Sequence, residues 1–197
     1  MVLKTRDKLI EIARQLFAKQ GIENTTMNDI ASASEKGRRT IYTYFRNKRA
    51  IYNAVVKTES DKIVEKLADI VDKPEPVEQK LMDFIFMRFE AIKESVTRNG
   101  TLKAGFFMDL RKVERARRNT TSQEANILKQ ILTEGVMQGI FHIKHVEQTA
   151  MVMILSLQGL DVPYIRDSFS DLGIEKLKLR EYIKDFILYG IKTNNNK

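Results

Sequence analysis

Hydrophobic residues recur along this chain at the three- to four-residue spacing of an amphipathic α-helix. Near the N-terminus, such a stripe predicts a first helix over residues 5–20, which ends at Gly21. The same spacing predicts longer helices over residues 48–71, 77–97, 102–116, 121–138, 146–161 and 174–191. Pro74 and Pro76 interrupt the pattern after residue 71. No segment alternates in the manner of a β-strand, so we expect an all-α fold.

Two shorter helices are predicted between residues 26 and 45. Thr26 and Asp29 form a Thr-x-x-Asp capping pattern that begins one of them, and a break near residues 34–37 separates it from the other. At 100° per residue, the second short helix, over residues 38–45, has two sides. Its inward side holds Ile41, Tyr44 and Phe45, and its outward side holds Arg39, Tyr42, Thr43 and Arg46. Two short helices joined by a tight turn predict a helix-turn-helix, which presents donors to phosphates and to guanine edges.

The distribution of charge agrees with a nucleic-acid surface. The net charge is +8, and residues 1–57 contribute +7 of it, with 12 Lys or Arg and 5 Asp or Glu. A small basic domain joined to a neutral one is typical of a polyanion-binding protein. The chain has no cysteine, which excludes disulfides and thiolate metal sites and fits a cytoplasmic location.

Other classes of function find little support in the sequence. The longest apolar stretch, "AMVMILSLQGL" from Ala150, is shorter than the roughly 20 residues that span a bilayer, so we expect no membrane partner. His142 and His145 are the only histidines, and we interpret them as a surface pair rather than a metal site. No nucleophile lies beside a histidine and no phosphate-binding loop is present, so we expect neither an enzyme nor a cofactor.

The segment "TTMNDIASASEKGRRTIYTYFRNKRAIYNAV", from Thr25 to Val55, resembles the DNA-binding signature of the TetR/AcrR transcriptional regulators. The segment "IEIARQLFAKQGIENTT" resembles that family's first helix and turn. The resemblance implies a three-helix DNA-binding domain at residues 1–50, with the helix-turn-helix motif at 26–45. A long helix would join it to a larger helical effector-binding and dimerisation domain at residues 51–197.

The resemblance also implies roles for individual residues. Phosphate contacts match Thr26, Tyr42 and Lys48, and groove-facing positions match Arg38, Arg39, Thr40 and Thr43. The chain departs from the common pattern at the turn, where Glu35 stands in place of a glycine and Gly37 in place of a capping serine. Arg39 also stands where a glycine often occurs.

The stretch "LMDFIFMRFEAI" from Leu81 is apolar around most of a helix, which predicts that other helices surround it. In the resemblance this helix lines a ligand cavity, although a packed core explains the same pattern. The cavity candidates are Phe84, Met87, Arg88, Phe106, Phe107 and Met108. Arg88 could pair with an anionic ligand or with an acid of the protein such as Asp109, and we favour the internal pair.

The last two predicted helices each carry a long apolar face, which suits either a monomer core or a self-association surface. In the resemblance the two helices form a four-helix dimer interface, which we favour. The candidates are Met153, Leu157, Leu179, Tyr182, Ile183, Phe186 and Gly190.

Two hypotheses follow for the whole chain. The first is a ligand-responsive repressor that binds palindromic double-stranded operator DNA as a homodimer, with a small-molecule effector of unknown identity. The alternative is an architectural nucleic-acid-binding protein whose body only dimerises.

Overall fold

The computed structural model describes residues 5–99 and 110–191, with side chains at 5–99 and 118–189. Within these ranges the chain forms α-helices and two short 3-10 turns, Ser170–Leu172 and Lys176–Lys178, and no β-strand. The predicted all-α class is therefore confirmed over these ranges. The helices are α1 (Thr5–Gln20), α2 (Met27–Ala33), α3 (Arg38–Tyr44), α4 (Lys48–Ala68), α5 (Val77–Arg98), α6 (Leu110–Met137), α7 (Val146–Gln158), α8 (Asp161–Arg166) and α9 (Leu179–Ile191).

Several of the predicted helix boundaries are wrong. The helix predicted at 48–71 ends at Ala68. The two helices predicted at 102–116 and 121–138 include a break that is absent, because α6 runs unbroken from Leu110 to Met137. The helix predicted at 146–161 ends at Gln158, and the separate short helix α8 follows it. The helix predicted from residue 174 begins at Leu179, because Gly173 is left-handed (φ 73°) and a 3-10 turn follows it.

Contacts divide the chain into two compact units. One unit, called here the head unit, comprises Met1–Lys62 and Glu94–Arg118, and the other, called the body unit, comprises Ile63–Lys93 and Asn119–Lys197. The assignment of DNA binding to residues 1–50 and of effector binding and dimerisation to residues 51–197 stays a prediction.

The core of the head unit is formed by the apolar sides of α1, α2, α3 and α4. Phe17 is fully buried in it, and its ring meets that of Tyr52 edge to face at 6.1 Å. Burying each such aromatic or aliphatic side chain contributes about 1.5–3 kcal/mol. The buried members are Leu9, Ile10, Ala13, Phe17, Met27, Ile30, Ala31, Ile41, Phe45, Ile51 and Val55.

The head unit also contains a buried carboxylate, that of Glu59 on α4, which accepts several hydrogen bonds. Its side chain is 8% exposed and accepts hydrogen bonds from Lys62 (2.9 Å), from the Asn99 amide (2.9 Å) and from Arg98. Burial alone would raise the pKa of the Glu59 carboxyl, but the hydrogen bonds from Asn99, Arg98 and Lys62 lower it to about 2. Asn99 also accepts a hydrogen bond from Arg14 of α1 at 3.2 Å. These contacts, called here the Glu59 cluster, join α1, α4 and the end of α5.

The body unit has its own larger core, to which α5, α6, α7 and α9 contribute. One close approach in it requires a glycine, because a Cβ at Gly135 would lie 2.1 Å from the ring of Phe141. The fully buried members of this core include Leu67, Leu81, Phe84, Ile85, Leu128, Ile131, Leu132, Ala150 and Ile154.

Candidate nucleic-acid interface

The helix-turn-helix begins with the capping pattern that the sequence predicts. The Asp29 N–H donates to the Thr26 hydroxyl at 3.1 Å, and the Thr26 N–H donates to the Asp29 carboxylate at 2.8 Å. This reciprocal pair satisfies two backbone donors at the start of α2 and lowers the pKa of Asp29. Thr26 remains exposed, so its hydroxyl hydrogen is available to a phosphate oxygen.

The turn between α2 and α3 is formed by Glu35 and Gly37, the two positions where the sequence departs from the common pattern. Glu35 has a positive φ of 56°, a left-handed conformation that strains any residue with a Cβ. Gly37 caps α3 in an extended conformation without a side-chain hydrogen bond. The tight turn is therefore made without glycine at its left-handed position.

The core-facing side of α3 differs from the prediction at one residue. Ile41 is fully buried and Phe45 is 3% exposed, as the spacing predicts. Tyr44 is 43% exposed, so its predicted role as a core anchor is wrong. Tyr44 is the last residue of α3, and the chain leaves the helix at Phe45, which has an extended conformation (φ −139°, ψ 113°).

The outward side of α3 is an exposed surface of guanidinium and hydroxyl groups. Arg38, Arg39, Tyr42 and Thr43 are exposed, and Thr40 is partly buried. The Arg38 guanidinium lies 5.6 Å from the centroid of the Tyr42 ring, and the Thr43 hydroxyl donates to the Arg39 carbonyl at 3.0 Å. These contacts orient Tyr42 and Thr43 on the surface. The guanidinium of Arg39 makes no hydrogen bond or ion pair with any residue in the described ranges.

Lys48, the third predicted phosphate contact, has a structural role that the sequence did not reveal. Its ammonium donates to the carbonyls of Ile22 (2.6 Å) and Glu23 (3.2 Å), in the turn between α1 and α2. Lysine has three donors, so one remains for a phosphate. Lys48 therefore positions the α1–α2 turn, and two of its three donors are already used.

The effector-pocket candidates do not share one environment. Phe84 is fully buried, whereas Met87 is 38% exposed, and both lie on α5. Phe106, Phe107 and Met108 lie outside the described residues. The assignment of these side chains to an effector pocket stays a prediction.

Arg88 occupies a buried ion cluster in the body unit, which joins α5, α6 and α8. Its guanidinium donates to Glu124 at 2.9 Å and to both oxygens of Asp161 at 2.7 and 3.1 Å. Burial alone would lower the pKa of Arg88, but the charges of Glu124 and Asp161 more than offset this and raise it. The favoured internal pairing is confirmed, with partners 36 and 73 residues away. The acid suggested from the sequence, Asp109, lies outside the described residues.

The dimer-interface candidates divide into two groups. Leu157, Leu179 and Ile183 are buried in the body unit's own core, and Met153 packs against that core. Tyr182 (44% exposed) and Phe186 (83%) lie on the solvent side of α9, and Gly190 lies just beyond the residues whose burial is described. Three further apolar residues on the same two helices are exposed and were not predicted from the sequence: Val152 (61%) and Leu155 (55%) on α7, and Tyr189 (83%) on α9.

Metal and membrane sites find no support in the described ranges. His142 and His145 are both exposed, as the sequence predicts, and no group of three His, Cys, Asp or Glu side chains there could hold a metal ion. None of the helices in those ranges combines the length and apolar character needed to cross a bilayer.

The capped α2, the turn and the exposed basic side of α3 together define a helix-turn-helix domain. Residues 9–55 match the family described as bacterial regulatory proteins, tetR family. This match, over the N-terminal quarter of the chain, supports the resemblance to the tetR-family signature that residues 25–55 indicate.

Curated relatives match this chain over part of its length. A probable acrEF/envCD operon repressor of Escherichia coli K12 is 49% identical over 51 residues, which is 26% of this chain and 23% of that protein. The chain thus spans about a quarter of the length of that curated relative. The matched relatives are regulators of transcription, which is not a class of enzyme.

Solved structures match almost the whole chain at lower identity. A transcriptional regulator from Cytophaga hutchinsonii superimposes with a TM-score of 0.74 and 21% identity, covering 95% of this chain and 98% of that one. The regulator FadR from Bacillus subtilis, solved in complex with stearoyl-CoA, has a TM-score of 0.66 and 21% identity, with 94% and 98% covered. These likenesses show that this chain shares the fold of those two solved regulators over 94–95% of its length.

Proposed function

We propose that this protein is a transcriptional repressor that binds palindromic double-stranded DNA as a homodimer through α3. The observation that carries the proposal is the outward side of α3, where Arg39, Tyr42 and Thr43 are exposed on a helix fixed to the head core by Ile41 and Phe45. Guanidinium and hydroxyl groups in this arrangement suit the major groove, in which arginine reads guanine and hydroxyl groups contact phosphates. The +7 charge of residues 1–57 supplies the long-range attraction.

The test separates base reading from phosphate contact. A palindromic duplex is first selected from a random library, and binding to it and to a random duplex is measured over a range of salt concentrations. If each head neutralises about four phosphates, the log–log slope for the dimer is about −7. Arg39→Ala is expected to cost about 1–3 kcal/mol, mainly at one base pair per half-site.

Tyr42→Phe is the matched comparison, because it removes a single hydroxyl that we assign to a phosphate. It should weaken binding to the selected and random duplexes alike. Equal weakening of all duplexes by Arg39→Ala would assign that arginine to a phosphate and contradict its base-reading role. A salt slope near zero for the unchanged protein would exclude α3 as a DNA surface.

The homodimer is proposed on two grounds. One recognition helix contacts too few base pairs for tight specific binding, so a symmetric dimer on a palindrome is needed. In addition, Tyr182, Phe186 and Tyr189 recur at i, i+4 and i+7 on the solvent side of α9, which leaves large apolar side chains uncovered in the single chain.

Phe186→Glu is expected to dissociate the dimer, because a two-fold axis places the unpaired carboxylate in the interface twice. A buried unpaired charge costs several kcal/mol, which weakens association by roughly a hundredfold or more. Sedimentation measures the oligomeric state, and Met137→Glu is the control at a position that is 82% exposed on α6. A dimer that survives Phe186→Glu would place the interface elsewhere.

Effector binding is proposed for the body unit. An effector releases DNA only if it binds the DNA-free conformation more tightly than the DNA-bound one. Stearoyl-CoA, with which the Bacillus subtilis FadR was solved, is a reasonable first compound for a panel. A ligand with an anionic group would have to compete with Glu124 and Asp161 for Arg88.

A further inference from the structure

A cation from the start of α1 lies at the far end of the recognition helix. The guanidinium of Arg6 stands 5.4 Å from the centroid of the Phe45 ring, and Phe45 is the residue that ends α3. Arg6 belongs to the first turn of α1, almost forty residues earlier in the chain. The fold of the head unit therefore adds a charge to the α3 surface that the helix-turn-helix segment itself does not contain.

The position of Arg6 is fixed by packing, whereas its charge remains available. The ring of Phe45 is buried and forms a platform for the guanidinium, a cation–π contact that orients the side chain. Among the described residues its acidic partner is Asp7, at 4.0 Å, with the two side chains 52% and 50% exposed. An exposed pair at that distance is weak and exchanges readily for a stronger anion.

The α3 surface also needs such a cation. Among Thr26, Tyr42 and Lys48, only Lys48 is charged, and two of its donors bind the α1–α2 turn. In the proposed function Arg39 and Thr43 face the bases. A helix placed in a groove about 12 Å wide then has its ends near the phosphates of the flanking strands. Arg6, together with the neighbouring exposed Arg46, lies at one such end.

We propose that Arg6 is a DNA-phosphate contact that flanks the C-terminal end of α3. The inference rests on the proposed DNA-binding function and extends the interface beyond the helix-turn-helix to α1. A guanidinium held on an aromatic ring retains its outward N–H donors, which pair with phosphate oxygens. The contact carries no sequence preference, because the phosphate backbone is the same at every site.

The experiment measures the salt dependence of binding to a random-sequence duplex and to the selected palindrome. Arg6→Gln removes the charge and keeps a side chain long enough to cover Phe45, and Arg6→Lys keeps the charge. One phosphate contact per head is two per dimer, so Arg6→Gln should lower the magnitude of the log–log slope by about 2 on both duplexes. Arg6→Lys should restore most of the slope.

Lys57→Gln is the control, since it removes one positive charge from the same unit at an exposed position paired with Asp61. Lys57 lies nine residues beyond Lys48 on α4, about 13 Å along the helix and farther than the screening length of about 8 Å. An unchanged slope for Arg6→Gln, or an equal decrease for Lys57→Gln, overturns the proposal. A slope near zero for the unchanged protein overturns the proposed function as well, so the two failures are distinguishable.

Thermal unfolding of the same variants separates a contact from a folding defect. Arg6→Gln should retain the melting temperature of the unchanged protein to within about 2 °C, because an exposed cation–π pair stabilises a fold only slightly. A lower slope accompanied by a large drop in melting temperature, and not restored by Arg6→Lys, would assign Arg6 to packing on Phe45 and overturn the proposal.

Discussion

Each of the two compact units buries a charged cluster. The central group is negative in one cluster and positive in the other, and the partners of the central group differ in their exposure to water. In the head unit the central group is a carboxylate, Glu59, and its cationic partners Lys62 and Arg98 are 43% and 38% exposed. In the body unit the central group is the Arg88 guanidinium, and Arg88, Glu124 and Asp161 have side chains only 2%, 4% and 2% exposed. The cations of the first cluster are partly exposed to water, whereas all three charged groups of the second cluster are buried.

This difference determines how each cluster responds when one member is lost. Water can replace an exposed donor, so the loss of any one donor of the Glu59 cluster should lower the free energy of unfolding only in part. In the Arg88 cluster little water reaches the partners, and a charge left behind has its full desolvation cost. We infer that the Arg88 cluster specifies how α5, α6 and α8 pack. The Glu59 cluster makes a smaller contribution to the contact between α4 and the end of α5.

The largest expected effect is that of Arg88→Met, which leaves two carboxylates in the body-unit interior. We expect a loss of about 3–5 kcal/mol in the free energy of unfolding, measured from urea denaturation. Lys80→Met is the control, because it removes a cation whose partner, Glu134, is 31% exposed and can be hydrated. We expect Lys80→Met to lose less free energy of unfolding than Arg88→Met. If Arg88→Met loses less free energy of unfolding than Lys80→Met, the buried acids tolerate the loss of their cation, and the proposed difference between the two clusters is wrong.

A smaller effect is expected for Glu59→Gln at pH 7. The amide keeps the shape and accepts some of the same hydrogen bonds, but it replaces charge-assisted bonds with neutral ones. We expect a loss of about 1–3 kcal/mol in the free energy of unfolding. Glu65→Gln, at an exposed position on the same helix, is the control and should change stability by less than about 0.5 kcal/mol.

The effect of Glu59→Gln should also disappear in acid. The pKa of Glu59 is about 2 in the folded protein, below its ordinary value of 4.5, so the folded state favours the ionised carboxyl. The extra stability is then present above pH 4.5 and declines as the pH falls toward 2. Urea unfolding of both proteins at pH 7, 5 and 3.5 measures the decline. A difference that stays constant over this range would mean that the carboxyl is not selectively ionised in the folded state.

The helix-turn-helix of the head unit was predictable from the sequence, because the residues that determine it lie close together in the chain. The capping pair of Thr26 and Asp29 and the i, i+4 pair of Ile41 and Phe45 lie within one or two helical turns, so spacing alone indicates their arrangement. The error at Tyr44 occurs where a helix ends, because one residue of unwinding changes which side chain faces inward.

The body was less predictable because its contacts are distant in sequence. Spacing placed Arg88 on an apolar side, but it could not indicate Glu124 or Asp161 as partners. On α9, Ile183 and Phe186 belong to one apolar stripe, and the boundary between core and solvent runs through that stripe. The break predicted between residues 116 and 121 falls on polar residues, which are also typical of an exposed helix surface.

The left-handed conformation of Glu35 determines which residues could replace it. Glycine there would relieve about 1–2 kcal/mol of backbone strain, but it would also give the unfolded chain extra freedom worth about 0.4–1 kcal/mol. The second effect offsets about half of the first. Asparagine, which tolerates the left-handed region without glycine's entropy, would retain more of the gain. The turn can therefore hold an ordinary residue in place of glycine at a net cost of about 1 kcal/mol, while β-branched residues stay excluded.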